Sequence, residues 1–172
     1  MTTQLEHTNT NFSEKQFPIT IICDHITSAA NIGAIFRLAD AFGITKIVQY
    51  RCDIDMNSSR FKRTARTTNT TVPSERIDDI SSYITSLKSD GYTTIALEIT
   101  DSSKPIDAIP LSSESKLILI IGSERKGVSE QLLKHCDFAT HITMFGKNSS
   151  MNVAQATGIA LFQITKTLTP KL

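Results

Sequence analysis

The sequence lacks the features that mark several large classes of protein. Its apolar residues make up 40% of the 172-residue chain, but they never form a run long enough to cross a bilayer. The polar first 16 residues have no apolar core of the kind that a signal peptide needs. We therefore expect no membrane partner, a cytoplasmic location, a flexible tail over residues 1–16 and a single domain over residues 17–172.

Cysteine and histidine are too few and too scattered to indicate a metal site. The three cysteines, an odd number, stand far apart in the chain, which argues against a disulfide framework and against zinc binding. The four histidines show no metal-ligand spacing. We predict that the protein holds no metal.

The familiar phosphate-loop and hydrolase motifs are missing as well. The chain has no Walker-type loop, no Gly-x-Gly-x-x-Gly after the first predicted strand, and no Gly-x-Ser-x-Gly elbow. The formal net charge is only +1, so the overall charge does not indicate nucleic-acid binding either. Nucleotide hydrolysis, dinucleotide chemistry and serine hydrolysis therefore have little support.

What the sequence does contain is a regular alternation of strand and helix patterns. This alternation predicts an α/β domain with a mainly parallel sheet flanked by helices, in which ligands bind beyond the carboxyl ends of the strands. The loops after Tyr50, Ile99, Ile121 and Phe145 are thus the places where a site is expected. Strands are predicted over residues 17–23, 44–50, 92–99, 116–121 and 138–145, and helices over residues 77–88, 128–135, 153–168 and from Asn31, as N-cap, to residue 42.

The polar loop of residues 146–152 is the most informative segment. It joins a strand pattern to a helix pattern with seven polar or flexible residues, which is more than a turn needs. Hydroxyls, amides and a helix N-terminus offer hydrogen bonds to a polar ligand. A capped strand-to-helix connection would explain the same residues, and the local pattern leaves both interpretations open.

A basic tract lies between the second strand and the next helix. Residues 60–66 carry four cations and no acid, with no clear periodicity as far as Thr71, so we expect a loop. Such a loop can contact phosphates even on a nearly neutral protein. A solvated charged loop is the alternative. The four cations are Arg60, Lys62, Arg63 and Arg66.

Two further charged residues stand where a ligand could meet them. Arg37 lies among apolar positions of the first helix, and its side chain can reach back along the helix and clamp a phosphate. A surface arginine with a packed stem is the alternative. Glu124 follows a buried strand, which places its carboxylate at the carboxyl edge of the sheet. It could equally be an acid near a helix N-terminus, favoured by the helix dipole.

Three motifs, in order along the chain, resemble one known family. They are NIGAIFRLADAFG at residues 31–43, LIIGSERKGV at residues 119–128 and ITMFGKNSSMNVA at residues 142–154. Together they resemble the SpoU-type (TrmH-like) RNA ribose 2′-O-methyltransferases of the SPOUT superfamily, over roughly residues 17–168. The sequence departs from the family's usual residues at Leu38, Thr143 and Met151, with substitutions that are conservative in shape.

The resemblance implies a fold, a cofactor and a set of site residues. The expected fold is a parallel sheet whose C-terminal part forms a deep trefoil knot, the SPOUT α/β-knot. S-adenosyl-L-methionine is expected in the knot loops, and a homodimer interface is expected to complete the site. The catalytic and site-shaping positions would be Asn31, Arg37, Glu124, Ser150 and Asn152. The cofactor contacts would be Leu97, Glu98, Gly122, Ile142, Met144 and Met151.

The function that the resemblance implies is methyl transfer from S-adenosylmethionine to a ribose 2′-hydroxyl of RNA. In this interpretation Arg37 engages an RNA phosphate and helps to activate the hydroxyl, while Arg60, Lys62, Arg63 and Arg66 hold the RNA. Transfer RNA is the expected substrate, because a minimal domain suits a compact target, and ribosomal RNA is the second choice. The rival hypothesis is a non-catalytic RNA-binding protein that keeps the fold. The presence of the whole catalytic set speaks against it.

Overall fold

A computed structural model describes residues 5, 9–10 and 12–170. The rest of the predicted tail, residues 1–4, 6–8 and 11, lies outside the described residues, as do residues 171–172. Residues 12–16 have no regular secondary structure and lead directly into the first strand. The domain is built around a single sheet.

That sheet has seven parallel strands in the spatial order β3-β2-β1-β6-β4-β7-β5. The prediction of a mainly parallel sheet is thereby confirmed. The strand β6 lies at the centre, and its sequence KLILII is buried from its second residue onward because both faces are covered. The strands are β1 (Phe17–Asp24), β2 (Ile44–Tyr50), β3 (Ser74–Arg76), β4 (Tyr92–Leu97), β5 (Lys104–Pro105), β6 (Lys116–Ile121) and β7 (Phe138–His141).

Helices cover both faces of this sheet. Two hydrophobic clusters, one on each face, take alternate residues from the central strands, such as Leu119 for the first and Ile120 for the second. No helix in the described part of the chain is long and apolar enough to cross a membrane. The helices are α1 (Ala29–Ala41), α2 (Ser59–Ala65), α3 (Thr68–Thr71), α4 (Ile80–Ser89), α5 (Glu130–Leu133) and α6 (Val153–Leu168), with a 3₁₀ turn at Ile106–Ala108.

The basic tract is a helix, so the prediction of a loop at residues 60–66 was wrong. The hydroxyl of Ser58 accepts a hydrogen bond from the backbone N–H of Phe61 and caps α2. Phe61 and Ala65, four residues apart, form a buried stripe that packs on α1, and the Phe61 ring meets that of Phe36 edge to face at 5.5 Å. A stripe of only two residues is too short to show as periodicity in the sequence.

Gly33 lets α2 approach α1 closely. A Cβ atom at Gly33 would lie 2.9 Å from Cβ of Thr64 and 3.0 Å from the carbonyl oxygen of Phe61, so no larger residue fits without displacing α2. The basic helix is therefore held directly against the helix that carries Arg37.

Other boundaries differ from the predictions where side-chain capping decides them. The helix α1 begins at Ala29 with Ser28 as its N-cap, so Asn31 is not the cap that we predicted. The strand β7 ends at His141, and residues 142–145 form no strand. The edge strands β3 and β5, of three and two residues, lack any recognisable strand pattern and were missed.

Three residues other than glycine have a positive φ among those described: His25 (54°), Arg51 (52°) and Arg66 (56°). The left-handed conformation costs a residue with a Cβ atom roughly 1–2 kcal/mol. His25 and Arg51 directly follow β1 and β2, and Arg66 directly follows α2.

Candidate active site

A cavity of about 190 Å³ opens at the carboxyl edge of the sheet, beyond β4, β6 and β7. This is where a parallel α/β sheet is expected to bind its ligand. Three loops that the sequence places far apart form its walls. The six residues predicted to contact the cofactor all line it: Leu97, Glu98, Gly122, Ile142, Met144 and Met151.

Glu98 joins two of these loops. One carboxylate oxygen accepts a hydrogen bond of 2.8 Å from the backbone N–H of Val128, and the other accepts one of 3.0 Å from the N–H of Ile99. Gly127 makes room for this carboxylate, since a Cβ atom there would lie 2.2 Å from Oε2 of Glu98. Gly127 also has a φ of +65°, so a residue with a side chain would be strained as well as crowded.

The loop of residues 122–127 is a tight turn closed by its own backbone. Ser123 and Gly127 exchange two backbone hydrogen bonds of 3.2 and 2.9 Å. The Ser123 hydroxyl accepts a third, from the N–H of Lys126, at 3.2 Å. The turn therefore presents Glu124 at its exposed tip.

A chain of side-chain hydrogen bonds connects the three motifs. The Asn31 amide donates to the Glu124 carboxylate. The Asn152 amide donates to the Asn31 side-chain oxygen at 3.0 Å. Asn31 begins the first motif, Glu124 lies in the second, and Asn152 ends the polar loop of the third. The contact between Asn31 and Asn152 joins residues 121 positions apart in the sequence.

The polar loop is a capped connection, one of the two interpretations that the sequence left open, and part of it also lines the cavity. The Asn152 side-chain oxygen accepts hydrogen bonds from the N–H groups of Ala154 and Gln155 and caps α6. Ser150 and Met151 line the cavity. The loop is thus a capped connection and a cavity wall at once.

Arg37 does not line the cavity of its own chain. It is exposed on α1, six residues beyond Asn31, which is about 9 Å along the helix axis. Within the described part of the chain it forms no hydrogen bond or ion pair. Of the five predicted catalytic positions, the structure gathers Asn31, Glu124, Ser150 and Asn152 and leaves Arg37 apart.

The four cations of the basic tract are all exposed, and none forms an ion pair with a described residue. They lie on or next to α2, whose buried side faces α1. The cations Arg60, Lys62, Arg63 and Arg66 and the cation of Arg37 therefore belong to adjoining helices.

Several cavity residues were not predicted from the sequence. His141 ends β7, and its Nδ1 atom lies 2.9 Å from the hydroxyl oxygen of Ser103. This contact fixes the His141 ring at the cavity wall. These unpredicted residues stand next to motif residues or at the ends of predicted strands. Those two positions are the sequence signals that could have identified them. The others are Ile99, Ile121, Ser123, Gly127, Ser149, Val153 and Ala156.

The three cysteines do not line the cavity. Burial raises the pKa of the Cys52 thiol to about 11 and that of the Cys136 thiol to about 12, and it raises the pKa of Cys23 well above its ordinary value. These thiols are therefore protonated near neutral pH and unsuited to nucleophilic chemistry.

Comparisons with known proteins point to one group. The tRNA (guanosine(18)-2'-O)-methyltransferase of Saccharomyces cerevisiae is 28% identical over 163 residues, covering 94% of this chain and 11% of that protein. The 23S rRNA (guanosine-2'-O-)-methyltransferase RlmB of Haemophilus influenzae is 29% identical over 154 residues, covering 90% of this chain and 62% of the relative. The chain thus spans less than two thirds of the length of these two relatives.

A solved structure gives the same result. The AdoMet-bound rRNA methyltransferase from Sinorhizobium meliloti superposes with a TM-score of 0.79 at 25% identity, covering 92% of this chain and 59% of that one. A sequence profile of the SpoU rRNA Methylase family matches residues 18–162, a range that includes all three motifs. Since that match covers most of the chain, the protein belongs to the SpoU rRNA Methylase family.

Proposed function

We propose that this protein transfers a methyl group from S-adenosylmethionine to a ribose 2′-hydroxyl of RNA. The observation that carries the proposal is the convergence of the three motifs, through Glu124, Asn31 and Asn152, beside one cavity at the carboxyl edge of the sheet. Membership of the family supports it, as do the RNA methyltransferase names of the relatives.

The cavity fits the cofactor by its chemistry. Leu97, Ile142, Met144 and Met151 give it an apolar wall suited to an adenine ring, and the turn at Gly122 adds polar backbone. The two hydrogen bonds to Glu98 hold the loops in place before a ligand arrives. When bound, S-adenosylmethionine supplies an activated methyl group on a positively charged sulfur.

The residues of the chain would mainly position the reacting groups. Correct placement of two reactants can lower a barrier by roughly 7–11 kcal/mol, so few acids and bases are needed. The hydrogen-bonded group of Asn31, Glu124 and Asn152 would fix the cavity rim where the ribose enters, with Ser150 beside it. Arg37 would hold an RNA phosphate and stabilise the alkoxide that develops as the hydroxyl loses its proton.

A homodimer would bring Arg37 to a cavity that it does not reach within its own chain. Ile159 and Phe162 on α6 are 44% and 58% exposed, and they form an apolar face one helical turn long. The adjoining helix α1 contacts α6 where the Leu38 side chain packs on Gly158. A second copy covering this face would therefore contact α1 close to Arg37, which is next to Leu38 in the sequence, and could receive Arg37 in its own cavity.

The trefoil knot is a further part of the proposal. The strand β7 lies between β4 and β5 in the sheet. In the chain, β4 and β5 are joined directly by a connection of residues 98–103. Because all three strands are parallel and Lys104 pairs with Thr140 at the end of β7, that connection must cross the carboxyl end of β7. A knot would form if the segment that follows His141 passed beneath the connection of residues 98–103.

Transfer RNA is the proposed substrate, and ribosomal RNA is the alternative. The names of relatives include both. Incubation with radiolabelled S-adenosylmethionine and unmodified transcripts of each RNA, followed by mass-spectrometric mapping of ribose methylation, would decide between them.

The enzyme and the non-catalytic RNA-binding protein differ in cofactor binding. Isothermal titration calorimetry with S-adenosylmethionine should show saturable binding. A flat titration at millimolar cofactor would reject the methyltransferase and favour the binding-only protein.

A further inference from the structure

The positive-φ residues of the described chain other than glycine share a property that their conformation does not explain. His25, Arg51 and Arg66 are all basic residues, although glycine or asparagine adopts this conformation at less cost. Arg66 belongs to the basic tract, but His25 and Arg51 have no place in the function proposed so far. A strained backbone that keeps a particular side chain suggests that the side chain is needed.

His25 is held in one orientation by a buried carboxylate. Its Nδ1 lies 2.6 Å from Oδ1 of Asp24, a residue with no solvent exposure. The other oxygen of Asp24 accepts a hydrogen bond of 2.7 Å from the backbone N–H of Ser129, so the carboxylate cannot turn away. The remaining nitrogen of the His25 ring, Nε2, has no hydrogen-bond partner among the described residues.

Arg51 is placed next to His25 by a shared tyrosine. The Arg51 guanidinium lies 4.8 Å from the centre of the Tyr50 ring, and the His25 ring meets the same ring edge to face at 6.0 Å. Tyr50 is buried, and its hydroxyl hydrogen-bonds to Gln131 at 3.0 Å, so the ring is a fixed support. Arg51 is exposed and forms no ion pair with a described residue.

These two residues share an edge with the cavity. In the sheet, Cys23 pairs with Ile121 and Asp24 with Tyr50, so β1, β2 and β6 end at the same level. Neighbouring strands are about 5 Å apart, which puts His25 and Arg51 about 5 and 10 Å from the turn that begins at Gly122. RNA that presents a ribose to the cavity would extend over this edge.

We propose that His25 and Arg51 form a phosphate-binding site for RNA at the ends of β1 and β2, separate from the basic helix. The proposal rests on RNA being the substrate. Arg51 supplies paired N–H donors, and the His25 ring, packed against the same tyrosine, offers Nε2, which has no partner among the described residues. The positive charge of this site suits a polyanion. A second copy of the chain would be expected elsewhere, because the exposed apolar residues Ile159 and Phe162 lie on α6, on the opposite face of the sheet from the cluster that contains Tyr50.

The test compares Arg51→Gly with the wild-type protein in binding to an unmodified tRNA transcript, measured by fluorescence anisotropy from 50 to 300 mM KCl. Glycine suits the left-handed backbone, so the melting temperature should stay the same or rise. The dissociation constant should increase roughly 3- to 10-fold, and the slope of log K against log salt should fall by about one. Arg51→Lys, which keeps the charge, should restore most of the slope.

Lys116→Ala is the matched control, because Lys116 also places a cation over a tyrosine, 5.8 Å from the centre of the Tyr92 ring, but at the amino edge of the sheet. It should bind RNA with the wild-type salt slope. His25→Asn, which tolerates the same backbone, should weaken RNA binding less than Arg51→Gly does. If Arg51→Gln is used because Arg51→Gly unfolds, the same loss of slope is expected.

An unchanged affinity and slope in Arg51→Gly, with the wild-type protein methylating the transcript, would overturn the proposal and leave the function intact. A change of oligomeric state in light scattering, with RNA binding unaltered, would overturn it in favour of a protein contact. A wild-type protein that binds the transcript with an Arg51-dependent slope but transfers no methyl group would support the phosphate site and reject the enzyme.

Discussion

The cavity loops and the surface of α1 and α2 handle polar groups in opposite ways. In the cavity loops and at the first turn of α1 beside them, Glu98, Asn31, Asn152 and Glu124 are bound to one another or to backbone N–H groups. On the surface of α1 and α2, five cations are exposed and have no ion-pair partner among the described residues. The polar groups of the first region bind one another, whereas the cations of the second are solvated and free to bind an anionic partner.

This difference indicates how each region would recognise its ligand. Loops held by internal hydrogen bonds keep one shape, which suits a small ligand that must be placed to within a fraction of an ångström. Unpaired cations on long side chains give a salt-dependent attraction that needs no fixed shape. Mutations in the two regions should therefore alter different measurements.

Arg37→Ala tests whether one surface cation belongs functionally to the cavity, and it should have the largest effect. Loss of the group that stabilises developing charge should lower kcat by on the order of 10²–10³-fold. S-adenosylmethionine affinity by calorimetry should stay within about twofold, because Arg37 does not line the cavity. Normal turnover would remove Arg37 from the reaction and leave the two regions independent.

Neutralising the basic tract should affect RNA binding alone. Changing Arg60, Lys62, Arg63 and Arg66 to glutamine removes up to four phosphate contacts, so the salt slope should fall by roughly three. When salt rises from 50 to 200 mM, the affinity of the variant for RNA should therefore fall less than that of the wild type, by a factor on the order of 50. A variant with lysine at the three arginine positions should keep the slope, and loss of the slope in both variants would indicate damage to the helix rather than loss of charge.

Gly127→Ala should disturb the cavity without touching the cationic surface. The new Cβ atom would meet the Glu98 carboxylate at 2.2 Å in a strained backbone, which should destabilise the fold by roughly 1–3 kcal/mol. Cofactor affinity should fall about 10-fold, measured by calorimetry, with an unchanged RNA salt slope.

Gly146→Ala is the matched control for this substitution, because a Cβ atom at Gly146 meets nothing within 4 Å. It should leave melting temperature and cofactor affinity close to those of the wild type. Equal losses in the two variants would show that the loops tolerate no added side chain, and the role assigned to Glu98 would be unsupported.

Substitutions of Asn152 should have the smallest effects, and they separate two roles, because its side chain caps α6 and also binds Asn31 at the cavity rim. Asn152→Ala removes the cap of α6 and should cost about 1 kcal/mol in thermal unfolding. Asn152→Asp keeps an oxygen for the Ala154 and Gln155 N–H groups but cannot donate to Asn31. It should keep most of the stability and lose part of the methyl transfer; the reverse result would make the contact with Asn31 irrelevant.

The sequence predicted the parts that depend on short-range patterns. The aliphatic run of β6 predicted a covered central strand, and the six cofactor contacts that the family resemblance implied all line the cavity. The helix at residues 59–65 was missed because its stability comes from contact with α1 at Gly33, which is distant in sequence. Likewise, Asn31 was taken for a cap because a local pattern cannot show that Ser28 already serves α1.

The central position of β6 has a consequence for how the protein is made. The strands β1 and β4 both pair with β6, which begins only at Lys116. Until β6 has been synthesised, β1 has one unpaired edge, and β4 has two because its other partner, β7, follows β6 in the chain. The pairs between β1 and β6 join residues 98 positions apart, such as Ile19 and Leu117. Such long-range pairing is slow to form and exposes unpaired strand edges while it waits. Chaperones that cover these unpaired edges during synthesis should therefore raise the yield of folded protein.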